Sequence, residues 1–108
     1  MSGYLLLDAA EYQLEAIVDY TRKRWGEAQA ERYLDGLIAR FGQIAARSLP
    51  WRAIPAEFEV DGYFTRYERH LIYWRVLPEG TIGIAAILHE RMHRATRLAE
   101  AFAGPGEP

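Results

Sequence analysis

The sequence predicts an α+β fold: an antiparallel helical hairpin packed on a twisted, mainly antiparallel β-sheet, in the order β-α-α-β-β-β, with a short C-terminal helix. Three observations predict it. Residues 69–92 read RHLIYWRV, LPEG and TIGIAAILHERM, two apolar runs around a loop that holds Pro78 and Gly80, which is a hairpin pattern. Neither run alternates cleanly between apolar and polar, so both faces of these strands are expected to be covered. Upstream, two apolar stripes at helical spacing are separated by the single residue Gly26, which forces the helices antiparallel.

Tyr4-Leu5-Leu6-Leu7 is too short an apolar run for a helix and reads as a first strand. Asp8, with Glu11 three residues on, resembles a capping box and predicts a helix start. Ala10, Leu14, Ile17, Val18, Thr21 and Trp25 then form one stripe, and Arg22, Lys23 and Arg24 oppose the dipole in the last turn. Gly26 fits the residue that ends this helix. A second helix from Glu27 carries a stripe of Ala30, Tyr33, Leu34, Leu37, Ile38, Phe41, Ile44 and Ala45. Gly36 and Gly42 interrupt it and point to close packing. Ser48-Leu49-Pro50 stops it, and residues 51–57 read as loop.

A strand is expected from Gly62 to Tyr67, then strands from Leu71 to Val76 and from Ile82 to Leu88. Sequential strands joined by short turns pair antiparallel, and the first strand must return across the helices to join them. Arg91 to Phe102 has helical spacing at Ala95, Leu98, Ala99 and Phe102. The domain therefore spans 1–103, and the Gly/Pro-rich residues 104–108 read as a frayed tail.

Composition narrows the function. The chain has 108 residues and a net charge of -2, spread evenly, which argues against binding nucleic acid by bulk electrostatics. Twelve of the thirteen basic residues are Arg, suited to directed contacts with carboxylates or phosphates. The absence of Cys excludes disulfides, thiolate metal sites and a Cys nucleophile. No apolar run approaches membrane-spanning length and no signal-peptide pattern opens the chain, so a cytoplasmic location is expected. No cofactor is expected. His89 and His93 are four residues apart, a spacing that holds zinc on a helix, but no third ligand accompanies them and no metal site is assigned.

WGEAQAERYLDGL, the helix exit followed by LPWR, the strand HLIYWRV and the segment IAAILHERMH resemble, in this order and over almost the whole chain, the ParE toxins of the RelE/ParE superfamily of type II toxin–antitoxin systems. The resemblance implies a bacterial toxin that acts on DNA gyrase by protein contact and blocks replication. It also implies a cognate ParD-like antitoxin, with a DNA-binding N-terminal part and an arm that covers the toxin's sheet and groove in a hetero-oligomer. That arm would account for the second apolar face of the hairpin. The toxin itself is expected not to bind DNA.

The superfamily also implies an alternative, a RelE-like ribosome-dependent mRNA endoribonuclease, whose chemistry needs an acid, a base and cations for the phosphorane. His70, His89 and Arg91 are the catalytic candidates under that reading; under the gyrase reading there are none. Taken as structural residues, His70 bonds a backbone group and His89 fixes the turn into the last helix. Candidate contacts with target or antitoxin are Trp51, Arg52, Arg91, His93, Arg94 and Arg97. Arg91, Arg94 and Arg97 would form a ridge on the last helix, and Trp51 reads as the exposed aromatic anchor. Trp25 and Trp74 read as core, and Tyr12, Tyr33 and Tyr73 as packing residues.

Overall fold

The computed structural model describes residues 3–91 and 94–103. The elements are β1 (Tyr4–Leu6), α1 (Asp8–Trp25), α2 (Glu27–Ala45), β2 (Arg52–Ala53), a 3-10 turn (Ala56–Phe58), β3 (Tyr63–Tyr67), β4 (His70–Val76), β5 (Ile82–His89) and α3 (Arg94–Ala103). The expected tail at 104–108 and the start of the last helix at Met92 and His93 lie outside the described residues. The five strands form one sheet in the order β1-β5-β4-β3-β2. All neighbours run antiparallel except β1, which returns across the hairpin to pair parallel with β5, with Leu5 opposite Gly83. The segment expected to be loop contains β2, which pairs Arg52 with Phe64 and Ala53 with Tyr63 and closes the far edge.

Helix boundaries follow local chemistry. α1 starts at Asp8, with Leu7 in the N-cap position and no side-chain cap; Asp8 and Glu11 instead sit in the first turn, where carboxylates favour the dipole. Gly26 ends α1 at φ 98° and ψ 167°, a conformation essentially confined to glycine. Its N–H donates to the Arg22 carbonyl at 2.9 Å, so one residue suffices to reverse the chain.

The sheet is buried on both faces by the chain itself. On one face, Ala10, Leu37, Phe41, Ile44 and Ala45 of the helical hairpin pack on Ile72, Trp74, Ile82, Ile84 and Ile87. On the other, Leu98, Ala101 and Phe102 of α3, with Ile54 and Phe58, pack on Leu71, Tyr73, Ala85, Ala86 and Leu88. This corrects the single helical layer expected from sequence, and the assignment of the second apolar face to an antitoxin arm. α3 is that cover. The broken alternation of β5 has a local cause: a bulge pairs Tyr73 with Ala86 but Trp74 with Ile84, so Ala85 and Ala86 both face α3.

The two α2 glycines differ. A Cβ at Gly36 would overlap the Tyr67 phenol, which packs on the Tyr33 ring at 5.2 Å and carries the Arg40 guanidinium at 5.2 Å. Nothing lies within 4 Å of a Cβ at Gly42. Gly42→Ala is therefore expected to stabilise the protein by about 1 kcal/mol, the helix-propensity difference, whereas Gly36→Ala destabilises it. Paired urea titrations read both signs. A stable Gly36→Ala variant would mean that Tyr67 moves aside freely.

Candidate functional site

The β4–β5 register places His70 opposite His89, at the end of the sheet nearest the α1–α2 turn. The two rings meet edge to face, with centroids 5.4 Å apart at 87°. Tyr33 reaches them from α2, its Oη 2.7 Å from His70 Nδ1. The Tyr33 hydroxyl lies 3.5 Å from the Tyr67 carbonyl, too long to hold its proton, so the proton is donated to His70 Nδ1. His70 is then neutral with its proton on Nε2. His89 Nδ1 accepts the Arg91 backbone N–H at 3.1 Å, which places the His89 proton on Nε2 as well.

Electrostatics agree with this assignment. Burial, then the neighbouring His89, lowers the His70 pKa to about 4 against a smaller opposing pull from Glu90. Burial, followed by the charges of Tyr67 and Glu68, raises the Tyr33 hydroxyl to about 12. Beside the pair, Arg66 and Glu90 join at 2.6 Å, and that hydrogen bond holds the Glu90 carboxyl below its usual range.

The His70 shift has a consequence for stability. The unfolded chain takes up a proton near pH 6.5 and the folded one only near pH 4. His70 stability is thus complete above pH 6.5 and is lost as the pH falls towards 4. Folding free energy is expected to drop by about 2 kcal/mol from this group between pH 7 and 5. His70→Gln should flatten that slope, measured by urea denaturation across the range. An unchanged slope would show that His70 titrates normally.

Two hollows flank the pair. One, of about 540 Å³, is lined by Tyr20, Thr21, Arg24, Trp25, Gln29, Tyr33, Glu68, Arg69, His70, His89 and Arg91. The other, of about 340 Å³, is largely apolar, with Tyr12, Ala16, Ile17, Ile87 and Arg97 beside the shared Tyr20, His70 and His89. α1 forms the wall of both because β1 pairs only with Ile82–Ile84 and leaves the rest of that edge of β5 without a strand. Gln13 of α1 stands in, its Oε1 accepting the Ile87 N–H at 2.7 Å.

The sequence-derived candidates separate in space. His70, His89 and Arg91 do converge at this site. Arg97 lines the apolar hollow, whereas Arg52 and Arg94 line a different depression with Arg66 and Phe64. Arg94 and Arg97 share α3, whereas Arg91 precedes its described span. His93 lies outside the described residues. Trp51 is half-buried rather than an exposed anchor: its indole N–H donates to the Ile44 carbonyl at 3.2 Å, closing the end of α2. Its ring packs on Tyr63 at 4.9 Å and Trp74 at 5.7 Å, under the Arg47 guanidinium at 3.7 Å.

Trp25, expected in the core, is 65% exposed, and Tyr12, expected to pack, is 76% exposed. Tyr12 lines the apolar hollow with Tyr20, and Trp25 lines the larger one. Sequence reasoning missed Tyr20, Tyr33 and Arg69 as site residues. The spacing of Tyr12, Ala16 and Tyr20 at every fourth position was a signal, for it traces a second stripe beside the core one.

The comparisons agree with one another. The family model described as "ParE toxin of type II toxin-antitoxin system, parDE" matches residues 4–94. The chain is 35% identical over 104 residues to "Toxin ParE" of Escherichia coli, covering 96% of this chain and all (100%) of that one. It is 39% identical over 93 residues to "Toxin ParE1" of Mycobacterium tuberculosis, covering 84% of this chain and 92% of that one. In fold it matches a chain of the "Chromosomal ParDE TA system from P. aeruginosa" with a TM-score of 0.66 at 18% identity, covering 82% of this chain and 96% of that one. A chain that places a helical hairpin between the first and the remaining four strands of one sheet, closes that sheet with its own last helix and is matched along nearly its full length belongs to the ParE toxin family of type II toxin–antitoxin systems.

Proposed function

We propose that this protein is a gyrase-inhibiting toxin, held inactive in a hetero-oligomer with a ParD-like antitoxin whose N-terminal part binds DNA. The observation that carries the reading is the likeness to Escherichia coli "Toxin ParE" across 96% of the chain. The geometry of the histidine pair supports inhibition by contact over the ribonuclease alternative. A phosphodiester cleavage needs one protonated and one unprotonated group on opposite sides of the phosphate. His70, with a pKa of about 4, is almost never the imidazolium that serves as an acid at neutral pH, and its Nδ1 is committed to Tyr33. The two rings also touch edge to face, which leaves no room for a phosphate between them.

The contact candidates for target and antitoxin are the arginines Arg52, Arg91, Arg94 and Arg97, with His93 added on sequence alone. Arg52, Arg91 and Arg97 are exposed and Arg94 is half-exposed. Charged side chains of this kind give directed contacts with an acidic partner. The toxin acts without binding DNA itself and takes no cofactor. Among the described residues, no helix is long and apolar enough to cross a membrane and no cluster of side chains could hold a metal ion.

The test is induction in bacteria with labelled thymidine and labelled amino acid followed in one culture. DNA synthesis is expected to stop first while protein synthesis continues, and purified protein is expected to inhibit gyrase supercoiling. A double His70→Gln, His89→Gln variant should remain toxic. Protein synthesis collapsing first, with toxicity lost in a folded double variant, would restore the ribonuclease reading.

A further inference from the structure

We infer that the adjoining hollows beside α1 form a binding site for a nucleoside phosphate. This inference stands apart from the gyrase reading and rests on three features. First, the larger hollow brings the Arg24, Arg69 and Arg91 side chains together with Glu68 in its lining and Glu90 close by, three cations against two carboxylates. Arg69 feels the Glu90 carboxylate only at a distance, and among the described residues neither Arg69 nor Arg91 makes a side-chain hydrogen bond, so their N–H donors are open to a ligand. Guanidinium groups bind phosphate oxygens in pairs and with direction.

Second, both histidines present donors. Their Nδ1 atoms are occupied by the Tyr33 hydroxyl and the Arg91 backbone N–H, so each Nε2 carries a proton. Neither Nε2 has a partner among the described residues, and neither is sealed in the interior. Two N–H donors beside three guanidiniums suit an anion with several oxygens. They suit a cation or a metal poorly.

Third, Tyr20, His70 and His89 line both hollows, so the cationic and the apolar one adjoin across these side chains. Tyr20 is 64% exposed and stands beside Ile17 and Tyr12. Such a wall offers an aromatic face to a flat ring, and stacking of this kind tolerates any base. A phosphate on the arginines with its base against Tyr20 uses both halves of the site. The volumes, about 540 Å³ and 340 Å³, lie in the range of small-molecule pockets.

The test is equilibrium dialysis and calorimetric titration of the full chain, freed of antitoxin, with adenosine 5′-monophosphate, adenosine and inorganic phosphate. Saturable binding of the monophosphate, tighter than either fragment, is expected. Arg69→Gln with Arg91→Gln should weaken it at least about tenfold, the loss of charge-assisted contacts. Tyr20→Ala should weaken the nucleotide about fivefold or more and leave inorganic phosphate unaffected. Circular dichroism of each variant confirms that it is folded. A 5′-phosphorylated dinucleotide that binds more tightly than the monophosphate also supports the site and makes a strand end the source. No saturable binding at millimolar nucleotide, equal binding of adenosine and its monophosphate, or an unaffected double-arginine variant each overturns the inference. So does tighter binding of the dipeptide Glu-Tyr, which would make the hollow a peptide dock.

Discussion

Removing the chain beyond Arg91 is expected to leave a protein that no longer unfolds cooperatively. α3 supplies Leu98, Ala101 and Phe102 to the second core, all at most 8% exposed. Burying Leu and Phe side chains contributes about 1.5–3 kcal/mol each. Their loss would also bare Leu71, Tyr73, Ala85, Ala86 and Leu88 on the central strands. The sum reaches about half or more of the 5–15 kcal/mol that holds a typical domain together. Urea titration followed by near-ultraviolet dichroism should show a broad, early loss of signal, and a hydrophobic dye should bind the native-buffer sample. Leu98→Ala offers a graded version and should cost about 3 kcal/mol. A truncated chain with a sharp transition would mean that α3 is a detachable appendage. The result bears on function, for toxicity lost on truncation would report unfolding. Arg91→Ala and Arg97→Ala are the cleaner probes of contact.

Gly62→Ala is expected to be nearly as damaging, although it adds a single methyl group. A Cβ at Gly62 would lie 2.6 Å from the Trp74 carbonyl oxygen and 3.0–3.1 Å from the Phe102 ring. The carbonyl belongs to the central strand and cannot withdraw. The Gly62 carbonyl is itself fixed, accepting the Ile54 N–H at 3.0 Å. Relief therefore requires β3 to lift from β4, or α3 to lift from the sheet. Overpacking of this kind costs about 3 kcal/mol. The midpoint of urea denaturation should fall while its slope stays constant, and Gly42→Ala serves as the opposite-signed control. An unshifted midpoint would show that the segment before β3 relaxes without disturbing the core.

The histidine site shows how far local reasoning reaches. A sequence places His70 at the start of one strand and His89 at the end of the next, and a tight hairpin makes them neighbours. It does not supply Tyr33, which comes from the other layer of the fold and decides the tautomer of His70, nor the burial that depresses the His70 pKa. Trp25 and Trp51 exchange the roles read from the chain for a related reason. Trp25 falls at the frayed end of its stripe, where the turn at Gly26 carries it out into solvent. Trp51 follows the helix stop, yet the short β2 pairing folds it back under Arg47 onto Trp74.

Periodicity and punctuation alone determined the order of the helices and of every strand but the short β2, the helical hairpin around Gly26 and the central β4–β5 pair, because these depend on contacts between residues near in sequence. Motifs spread along the chain were enough to identify the family. Only the tertiary structure decided what covers the second face of the sheet, that β1 joins β5 in parallel, which arginines share a surface and what holds His70 neutral. Each of these depends on the distance between layers remote in sequence, and a pattern along one chain carries no record of that distance.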